Sequence, residues 1–341
     1  MKTWQKLVFI LALIVFVGVS VTISLMSISR PPYAFDEKTE IGGDETLNGW
    51  VLTGFNGNVG TKTLTIDFVR NKDGKKPDET RPVVAVKAYA VNADEYVEEL
   101  VIGKSVQRIE ETSFYNLKKL QRVTVDPENP TYTDRDGVLF SKDGKTLLLY
   151  PACYRKTTDT AGDTTYPNSY AVPEGVERIG TFAFLKNEHL RDLLLPASLR
   201  EIGDMSFFGC KRLGAYDYEP SLDTLAGTGF SLPDGLETIG SDAFSKCGSL
   251  APVLFFPASV RAIGHHALFS CSGVKNLYFE AADDGALTLG EAWRPKNLKA
   301  GPLWKAPEPQ FGKLRADAEA LIEAYQTEQL NKGREEAEQH G

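Results

Sequence analysis

Cysteine and histidine are both scarce in this sequence, with four of each among 341 residues. The cysteines are not spaced as C-x-x-C, and no histidine lies in an H-E-x-x-H frame, so neither residue type indicates a metal site. The chain also lacks the G-x-S-x-G, P-loop and G-x-G-x-x-G motifs. We therefore predict no catalytic residues, no cofactor and no metal, and we do not expect an enzyme.

An excess of positive charge is also missing. Lys and Arg number 38 against 46 Asp and Glu, which gives a net charge of −8 and a pI of about 5.3. The basic residues are scattered along the chain, so a phosphate backbone is not expected as a partner and nucleic-acid binding is excluded. The length allows one large domain or two small ones with a sizeable core.

One long hydrophobic run is present, at residues 7–26, where 20 uncharged and mostly apolar residues follow Lys2 and Lys6. This length spans a bilayer core, and the preceding lysines place the N-terminus in the cytoplasm. We predict that residues 1–30 form a cytoplasmic tip and a single-pass transmembrane signal anchor in the cell membrane, with the rest extracellular. The alternative is a protein secreted after signal cleavage. Residues 31–48 are rich in Pro, Gly and acidic residues and are predicted to be a linker.

A short sequence unit recurs along the chain. Aligned on one apolar residue, the copies are separated by 23, 70, 23, 37 and 24 residues, and that residue is Val86, Ile109, Ile179, Ile202, Ile239 or Ile263. The period is therefore 23 residues, interrupted by two insertions. Each unit continues into a strand-like segment that ends near a proline. Because one such unit cannot bury its apolar side alone, about six units are predicted to stack as a right-handed β-rich solenoid.

These units carry a specific resemblance. The stretches VERIGTFAFLKNEHL (176–190), LREIGDMSFFGCKRL (199–213) and LETIGSDAFSKCGSL (236–250) resemble the BspA-type leucine-rich repeat family of bacterial cell-surface proteins. The resemblance covers about residues 50 to 280. It implies a leucine-rich repeat solenoid over residues 49–280 that begins with an N-terminal cap, and it implies a role in adhesion or protein–protein interaction. Four positions depart from the family pattern: Val91, Leu117, Asn187 and Leu268.

Three further segments surround or interrupt the repeats. The insertion at about 126–171 contains Asp143-Gly144 between apolar runs, which predicts a hairpin that extends the sheet. Residues 281–310 lose the repeat pattern and are predicted to form an irregular C-terminal cap. Residues 311–341 are predicted to form an amphipathic helix, which either folds back on the cap or remains a free arm. Its predicted apolar face comprises Leu314, Ala318, Leu321 and Tyr325.

The cysteines and histidines follow the repeat. Cys210, Cys247 and Cys271 share one repeat position, which predicts a column of small buried thiols. A Cys210–Cys247 disulfide and a soft-metal site are the alternatives. His189 and the pair His265-His266 fall at variable turn positions and are interpreted as polar surface residues.

The candidate ligand-binding face follows from strand alternation. Each unit ends in an apolar residue such as Leu190 or Leu250, and in the strand that follows, the fourth residue beyond it should point outward. This row comprises Val101, Thr124, Leu194, Asp217, Leu254 and Tyr278. We predict that it binds an extracellular protein or glycan. The alternatives are that the insertion or the C-terminal segment covers the row, or that the register slips near Phe255-Phe256.

A structural or envelope-scaffold protein without a specific soluble ligand is the alternative function.

Overall fold

The computed structural model describes residues 33–38, 49–55, 61–70, 76–91, 96–115, 117–158, 160, 162–227, 229–295 and 307–340. The transmembrane helix predicted at residues 7–26 lies outside these ranges. Within them, no helix combines the length and the apolar character that crossing a bilayer requires.

The N-terminal part of the fold consists of eight strands in two sheets. They are β1 (Tyr33–Lys38), β2 (Gly49–Phe55), β3 (Thr63–Ile66), β4 (Phe68–Arg70), β5 (Pro77–Val86), β6 (Glu99–Ile102), β7 (Arg108–Ile109) and β8 (Arg122–Val125). One sheet has the order β1-β2-β5-β4, with β7 also paired to β5, and the other has the parallel order β3-β6-β8. The two sheets enclose a core that contains Leu64, Val86 and Leu100.

The linker prediction for residues 31–48 is wrong for its first part. Residues 33–38 form β1, which pairs antiparallel with β2. Tyr33 and Phe35, two residues apart, both pack against the N-terminal core, and the Tyr33 ring lies 5.0 Å from that of Phe55. Because side chains alternate along a strand, this acidic segment has one apolar side. That side packs against the N-terminal core, so residues 33–38 are part of the folded domain and not of a linker.

The remaining elements comprise the insertion, the later repeats and one helix. The insertion contains β9 (Tyr132–Arg135), β10 (Val138–Ser141), β11 (Thr146–Leu149), β12 (Thr157–Thr158), β13 (Thr164–Thr165) and β14 (Ser169–Ala171). The later strands are β15 (Arg178–Ile179), β16 (Asp192–Leu194), β17 (Glu201–Ile202), β18 (Asp217–Glu219), β19 (Thr224–Ala226), β20 (Thr238–Ile239), β21 (Val253–Phe256), β22 (Ala262–Ile263), β23 (Asn276–Phe279), β24 (Thr288–Leu289) and β25 (Pro309–Gln310). The helix is α1 (Arg315–His340).

The repeat ladder is a column of buried apolar residues in one sheet of eight strands, ordered β24-β22-β20-β17-β15-β11-β10-β9. Its short parallel strands pair in register, so that equivalent side chains lie above one another. The column runs Leu147, Ile179, Ile202, Ile239, Ile263, Leu289. Beside it, the Phe207 ring lies 4.9 Å from that of Phe184 and 5.2 Å from that of Phe244. The insertion thus contributes Leu147, and Leu289 extends the column into the segment predicted to be an irregular cap.

The glycine after each ladder isoleucine is required by close approach between neighbouring units. A Cβ added at Gly203 would lie 2.8 Å from the Ile179 carbonyl oxygen, and one at Gly264 would lie 2.4 Å from the Ser241 amide nitrogen. The φ angles of these two glycines are not in the left-handed region. That region is occupied two residues later in each unit, at Phe182, Met205, Asp242 and His266.

The hairpin β10–β11 separates two hydrophobic cores. Val138, Phe140 and Leu147 pack into the larger, C-terminal core, whereas Leu139 and Leu149 pack against the N-terminal core. β7, which contains Ile109, pairs with β5 in the N-terminal sheet, whereas β11 pairs with β15 in the eight-stranded sheet. The two sheets are therefore separate, and the insertion lies between them in the chain. The insertion therefore forms the boundary between the two halves of the repeat stack.

Candidate functional site

The first two residues of the predicted face lie side by side at its N-terminal end. Val101 on β6 pairs with Thr124 on β8. The Glu99 carboxylate on the same sheet accepts hydrogen bonds from Arg122 Nε at 2.8 Å and from Thr124 Oγ1 at 3.3 Å. The hydrogen bond from Arg122 is the main cause that lowers the pKa of Glu99. This end of the face is therefore polar, and its charges are paired.

Leu194 is the apolar residue of the predicted face that is exposed, whereas Val101 is half-buried and Leu254 and Tyr278 are buried. It ends β16, and 60% of its surface is accessible. Its strand partner is Ala171 on β14, which is also exposed. Because β16 is a regular strand and not a loop tip, the leucine is presented on a fixed backbone. The structure confirms that this side chain points outward.

A buried arginine supports the strand that carries Leu194. Arg191 binds the Asp192 carboxylate through Nη2 at 3.0 Å and the Asp217 carboxylate through Nη1 at 3.0 Å. Arg212 Nη2 also binds Asp217 at 2.5 Å. Asp217, predicted as a ligand-binding residue, is thus half-exposed and shared between two guanidinium groups. Charge-assisted hydrogen bonds of this kind fix the geometry of the strand beneath Leu194.

Leu254 was predicted to point outward, and the structure shows that this is wrong. Leu254 and Phe256 lie in the C-terminal core, while Val253 and Phe255 point to the opposite side. The cause is one extra residue: LAPVLFFP is one position longer than LRDLLLP, and a shift of one residue reverses every side chain of a strand. The outward position therefore belongs to Phe255, which pairs with Tyr278 on β23.

Tyr278 points outward as predicted, but α1 covers it. Only 8% of its surface is accessible, and it forms a small apolar cluster with Val253, Phe255 and Ala318, against which Ile322 packs. The Arg315 guanidinium lies 4.7 Å from the centroid of the Phe255 ring. The apolar end of the face is thus occupied by the chain's own C-terminal helix.

Polar contacts fix α1 at both ends. Arg315 forms an ion pair with Asp234 near its start. Near its end, Arg334 Nε and Nη2 each lie 2.7 Å from a carboxylate oxygen of Asp223, which also accepts a hydrogen bond from Tyr218 at 3.0 Å. The hydrogen bonds from Arg334, and then from Tyr218, lower the pKa of Asp223.

The packed face of α1 differs from the predicted one. Ala318, Ile322, Tyr325 and Gly333 lie on the packed side, whereas Leu314 and Leu321 are exposed. Leu314 precedes the first turn, where its amide nitrogen donates to the Asp317 carboxylate at 2.9 Å. Small residues allow the helix to approach the β18–β19 hairpin closely, and this pattern was not visible as a stripe of large apolar residues.

The three repeat cysteines form a column of hydrogen-bonded, buried thiols, and all four cysteines of the chain are free. Each thiol donates to the phenylalanine carbonyl of the preceding unit: Cys210 to Phe184 at 3.1 Å, Cys247 to Phe207 at 3.0 Å and Cys271 to Phe244 at 2.9 Å. Burial raises the pKa of Cys210 and of Cys271 to about 12. Neutral thiols at neutral pH are poor nucleophiles and poor metal ligands.

Asn187 occupies the cysteine position in its unit and makes a different set of contacts. Its Oδ1 accepts from the amides of His189 at 3.1 Å and Leu190 at 2.9 Å, and its Nδ2 donates to the Pro151 carbonyl at 3.4 Å. A buried amide with donor and acceptor both engaged stabilises the turn without leaving a polar group unpaired. This departure from the family pattern is therefore structural.

The histidines lie in turns, as predicted, but His189 is not a simple surface residue. Its ring stacks on Tyr166 with the centroids 3.7 Å apart, and burial is the main cause that lowers its pKa. His265 Nδ1 accepts a hydrogen bond from the Glu291 amide at 2.9 Å. In the part of the chain that the structure describes, no three His, Cys, Asp or Glu side chains cluster as metal ligands would.

The comparisons with known proteins identify the repeat. The family model described as "BspA type Leucine rich repeat region" matches in six copies at residues 85–142, 163–231 and 224–284. No curated protein matches the chain.

Several solved structures are similar. A leucine-rich repeat protein from Eubacterium ventriosum is 21% identical, with 64% of this chain and 54% of that chain covered and a TM-score of 0.46. The pneumococcal vaccine antigen PcpA is 24% identical, with 65% and 51% covered and a TM-score of 0.49. A leucine-rich cell surface protein from Faecalibacterium prausnitzii is 22% identical, with 60% and 54% covered and a TM-score of 0.43. The chain spans about half the length of these structures.

Proposed function

The chain belongs to the BspA-type leucine-rich repeat family, and from this premise we propose that it is a cell-surface protein whose repeat solenoid binds a macromolecular ligand. The function is recognition, as in adhesion or protein–protein interaction, with no chemical step. One observation carries this proposal: Leu194 is a large apolar side chain with 60% of its surface accessible on a regular strand of the repeat face.

The contacts around α1 support a polypeptide as the ligand. On the same face, Val253, Phe255 and Tyr278 already pack against a helix of this chain. The strands therefore present a surface that is complementary to protein side chains, and its open end lies around Leu194. Leu194 adds an exposed apolar side chain next to the paired charges of Arg191 and Asp217 on this face. An extracellular protein is our first candidate, and a glycan is the second.

We favour ligand binding over the scaffold alternative. A scaffold role would use the C-terminal helix to assemble copies of the chain. The packed side of α1, with Ala318 and Ile322, is instead occupied by contacts within the chain.

Cell-surface display completes the proposal. The apolar segment at residues 7–26 would anchor the chain, with the N-terminus in the cytoplasm and the repeats outside. Secretion after signal cleavage is the alternative.

The test of the binding face is Leu194→Asp in the full chain, assayed against a panel of immobilised extracellular matrix proteins and glycans. A charge at the centre of an apolar contact should weaken a positive interaction by about tenfold or more. The matched control is Leu222→Asp, because Leu222 is also an exposed leucine, with 72% of its surface accessible, but lies on the β18–β19 hairpin. Equal affinities of wild type and Leu194→Asp for every bound ligand would show that the face is elsewhere.

A further inference from the structure

A cavity of about 360 Å³ lies at the boundary between the two cores. It is enclosed by the unit that contains Ile109 and Phe114, by the inserted strand β11, and by the turn from Gly180 to His189. It exists because β7 and β11 belong to different sheets, so the regular stacking of units is interrupted here. Its volume is within the range of small-molecule pockets, about 300–1,000 Å³.

Apolar side chains form one wall of the cavity. Phe114, Leu117, Leu120, Leu139 and Leu149 line it, and the first four are buried in the N-terminal core. Well-packed protein interiors contain few voids larger than a water molecule. A space of this size with an apolar wall is therefore suited to a hydrocarbon or aromatic body.

The carboxylates at the mouth of the cavity are already engaged. Glu110 accepts a hydrogen bond from the Ala88 amide at 3.0 Å. Glu111 pairs with Arg178 at 3.5 Å, and Glu188 pairs with Lys211 at 2.6 Å. Glu111 and Glu188 are thus paired with cations, whereas Glu110 is held by a backbone amide and keeps its negative charge.

Lys186 is one of the cations that line the cavity, together with Lys118 and Arg178. Its ammonium lies 5.7 Å from the centroid of the Tyr115 ring, and no carboxylate in the described ranges lies within ion-pair distance of it. Tyr115 in turn contacts Phe182, with the ring centroids 5.6 Å apart. The entrance therefore combines aromatic surface with the positive charge of Lys186.

We propose that this cavity binds an amphipathic carboxylate, whose hydrocarbon chain enters the apolar interior and whose carboxylate pairs with Lys186 at the mouth. The apolar wall selects the body of the ligand, and the Lys186 ammonium selects the sign of its charge. Leu194 does not line this cavity, so the proposal does not depend on the binding face described above.

The probe is decanoate carrying a diazirine at its terminal carbon, photocrosslinked to the full chain in lipid vesicles, with the labelled peptides mapped by mass spectrometry. We expect labelling of the peptides that contain Leu117–Leu120 and Leu148–Ala152, displaced by unlabelled decanoate in a saturable manner. Decanol, which has the same chain without the charge, should displace the label at least about fivefold less effectively. Absence of saturable labelling in these two peptides, or equal displacement by decanol, would overturn the proposal.

Variants separate the two parts of the site. Lys186→Met should raise the concentration of decanoate needed for half displacement by about fivefold or more and leave decanol unchanged. Lys246→Met is the matched control, because Lys246 holds the equivalent repeat position and lies 4.7 Å over the Phe208 ring. Ala152→Phe, which fills the cavity, should abolish cavity labelling. The lysine variants leave the core intact, so equal effects of Lys186→Met and Lys246→Met would refute the assigned contact even if Ala152→Phe does not fold.

Discussion

At the scale of single residues, the repeat cysteines show how one position can be both apolar and hydrogen-bonded. Cys210, Cys247 and Cys271 have no accessible surface, and each thiol donates to a carbonyl of the neighbouring unit. A serine would place a more strongly polar group in the core, and an alanine would leave the carbonyl without this donor. The sequence predicted the column from the shared spacing, but the carbonyl partners depend on the stacking distance and could not be predicted.

The thiols should give the fold a dependence on alkaline pH. The pKa of Cys271 rises from 9.0 to about 12 through burial, so its stabilising effect is complete below about pH 9 and is lost as the pH rises towards about 12. At about pH 8, Cys271→Ala should be about 1–2 kcal/mol less stable than wild type to urea. The difference in the free energy of unfolding between wild type and Cys271→Ala should decrease by up to about 1.4 kcal/mol per pH unit above about pH 9.

The control for this prediction is Ser272→Ala, which removes a half-buried neighbouring hydroxyl that does not titrate. Its stability difference from wild type should stay constant with pH. A constant difference for Cys271→Ala between about pH 8 and about pH 10.5 would contradict the pKa shift.

At the scale of secondary structure, the C-terminal helix depends on small residues for its position. A Cβ added at Gly333 would lie 2.3 Å from Cγ of Tyr218, so only glycine allows α1 to approach the β18–β19 hairpin this closely. The sequence could show the helix but not its packed side, because Ala318 and Gly333 do not stand out as apolar residues. The register slip near Phe255-Phe256, which the sequence left open as an alternative, is the arrangement found. The sequence alone could not decide it, since four successive apolar residues fit either register.

Gly333→Ala should therefore loosen the end of α1, although alanine favours an isolated helix over glycine by about 1 kcal/mol. We expect faster hydrogen exchange in the residues from Tyr325 onward, measured by mass spectrometry of the full chain. Adding Tyr218→Ser should restore protection, because it removes the ring that the new methyl group meets.

Asn331→Ala is the control for this element. It improves helix propensity at an exposed position of the same helix and should leave exchange unchanged or slower. Unchanged protection in Gly333→Ala would mean that the hairpin and the helix end do not pack as closely as described.

At the scale of the whole molecule, the sequence predicted the repeat architecture more completely than it predicted the exposed surface. The 23-residue period identifies the ladder at Ile179, Ile202 and Ile263, because each unit must bury the same positions against its neighbours. The prediction of which residues are exposed on the face was wrong where the contacts come from distant parts of the chain. α1 covers Tyr278, and the insertion separates Thr124 from Leu194. The insertion was visible in the sequence, and coverage by the C-terminal segment was one alternative, but which residues α1 covers leaves no local pattern.

The proposed anchor is tested at this scale by fractionating cells that express the full chain or a chain without residues 1–29. The full chain should sediment with membranes and resist extraction by salt and alkali, because about 20 apolar residues are enough to span the bilayer. The shortened chain should be soluble. A native protein that is processed near residue 20 or 29 and recovered from the medium would favour secretion instead.

The contribution of Leu147 to the ladder has a consequence for how such a chain can change in length. Ile109 and Ile179 are 70 residues apart, yet the insertion returns a leucine to the column next to Ile179. The architecture therefore tolerates added segments wherever the last strand of the addition re-enters the column with an apolar side chain. New loops can accumulate at such a junction over evolution while the units on either side keep their own packing.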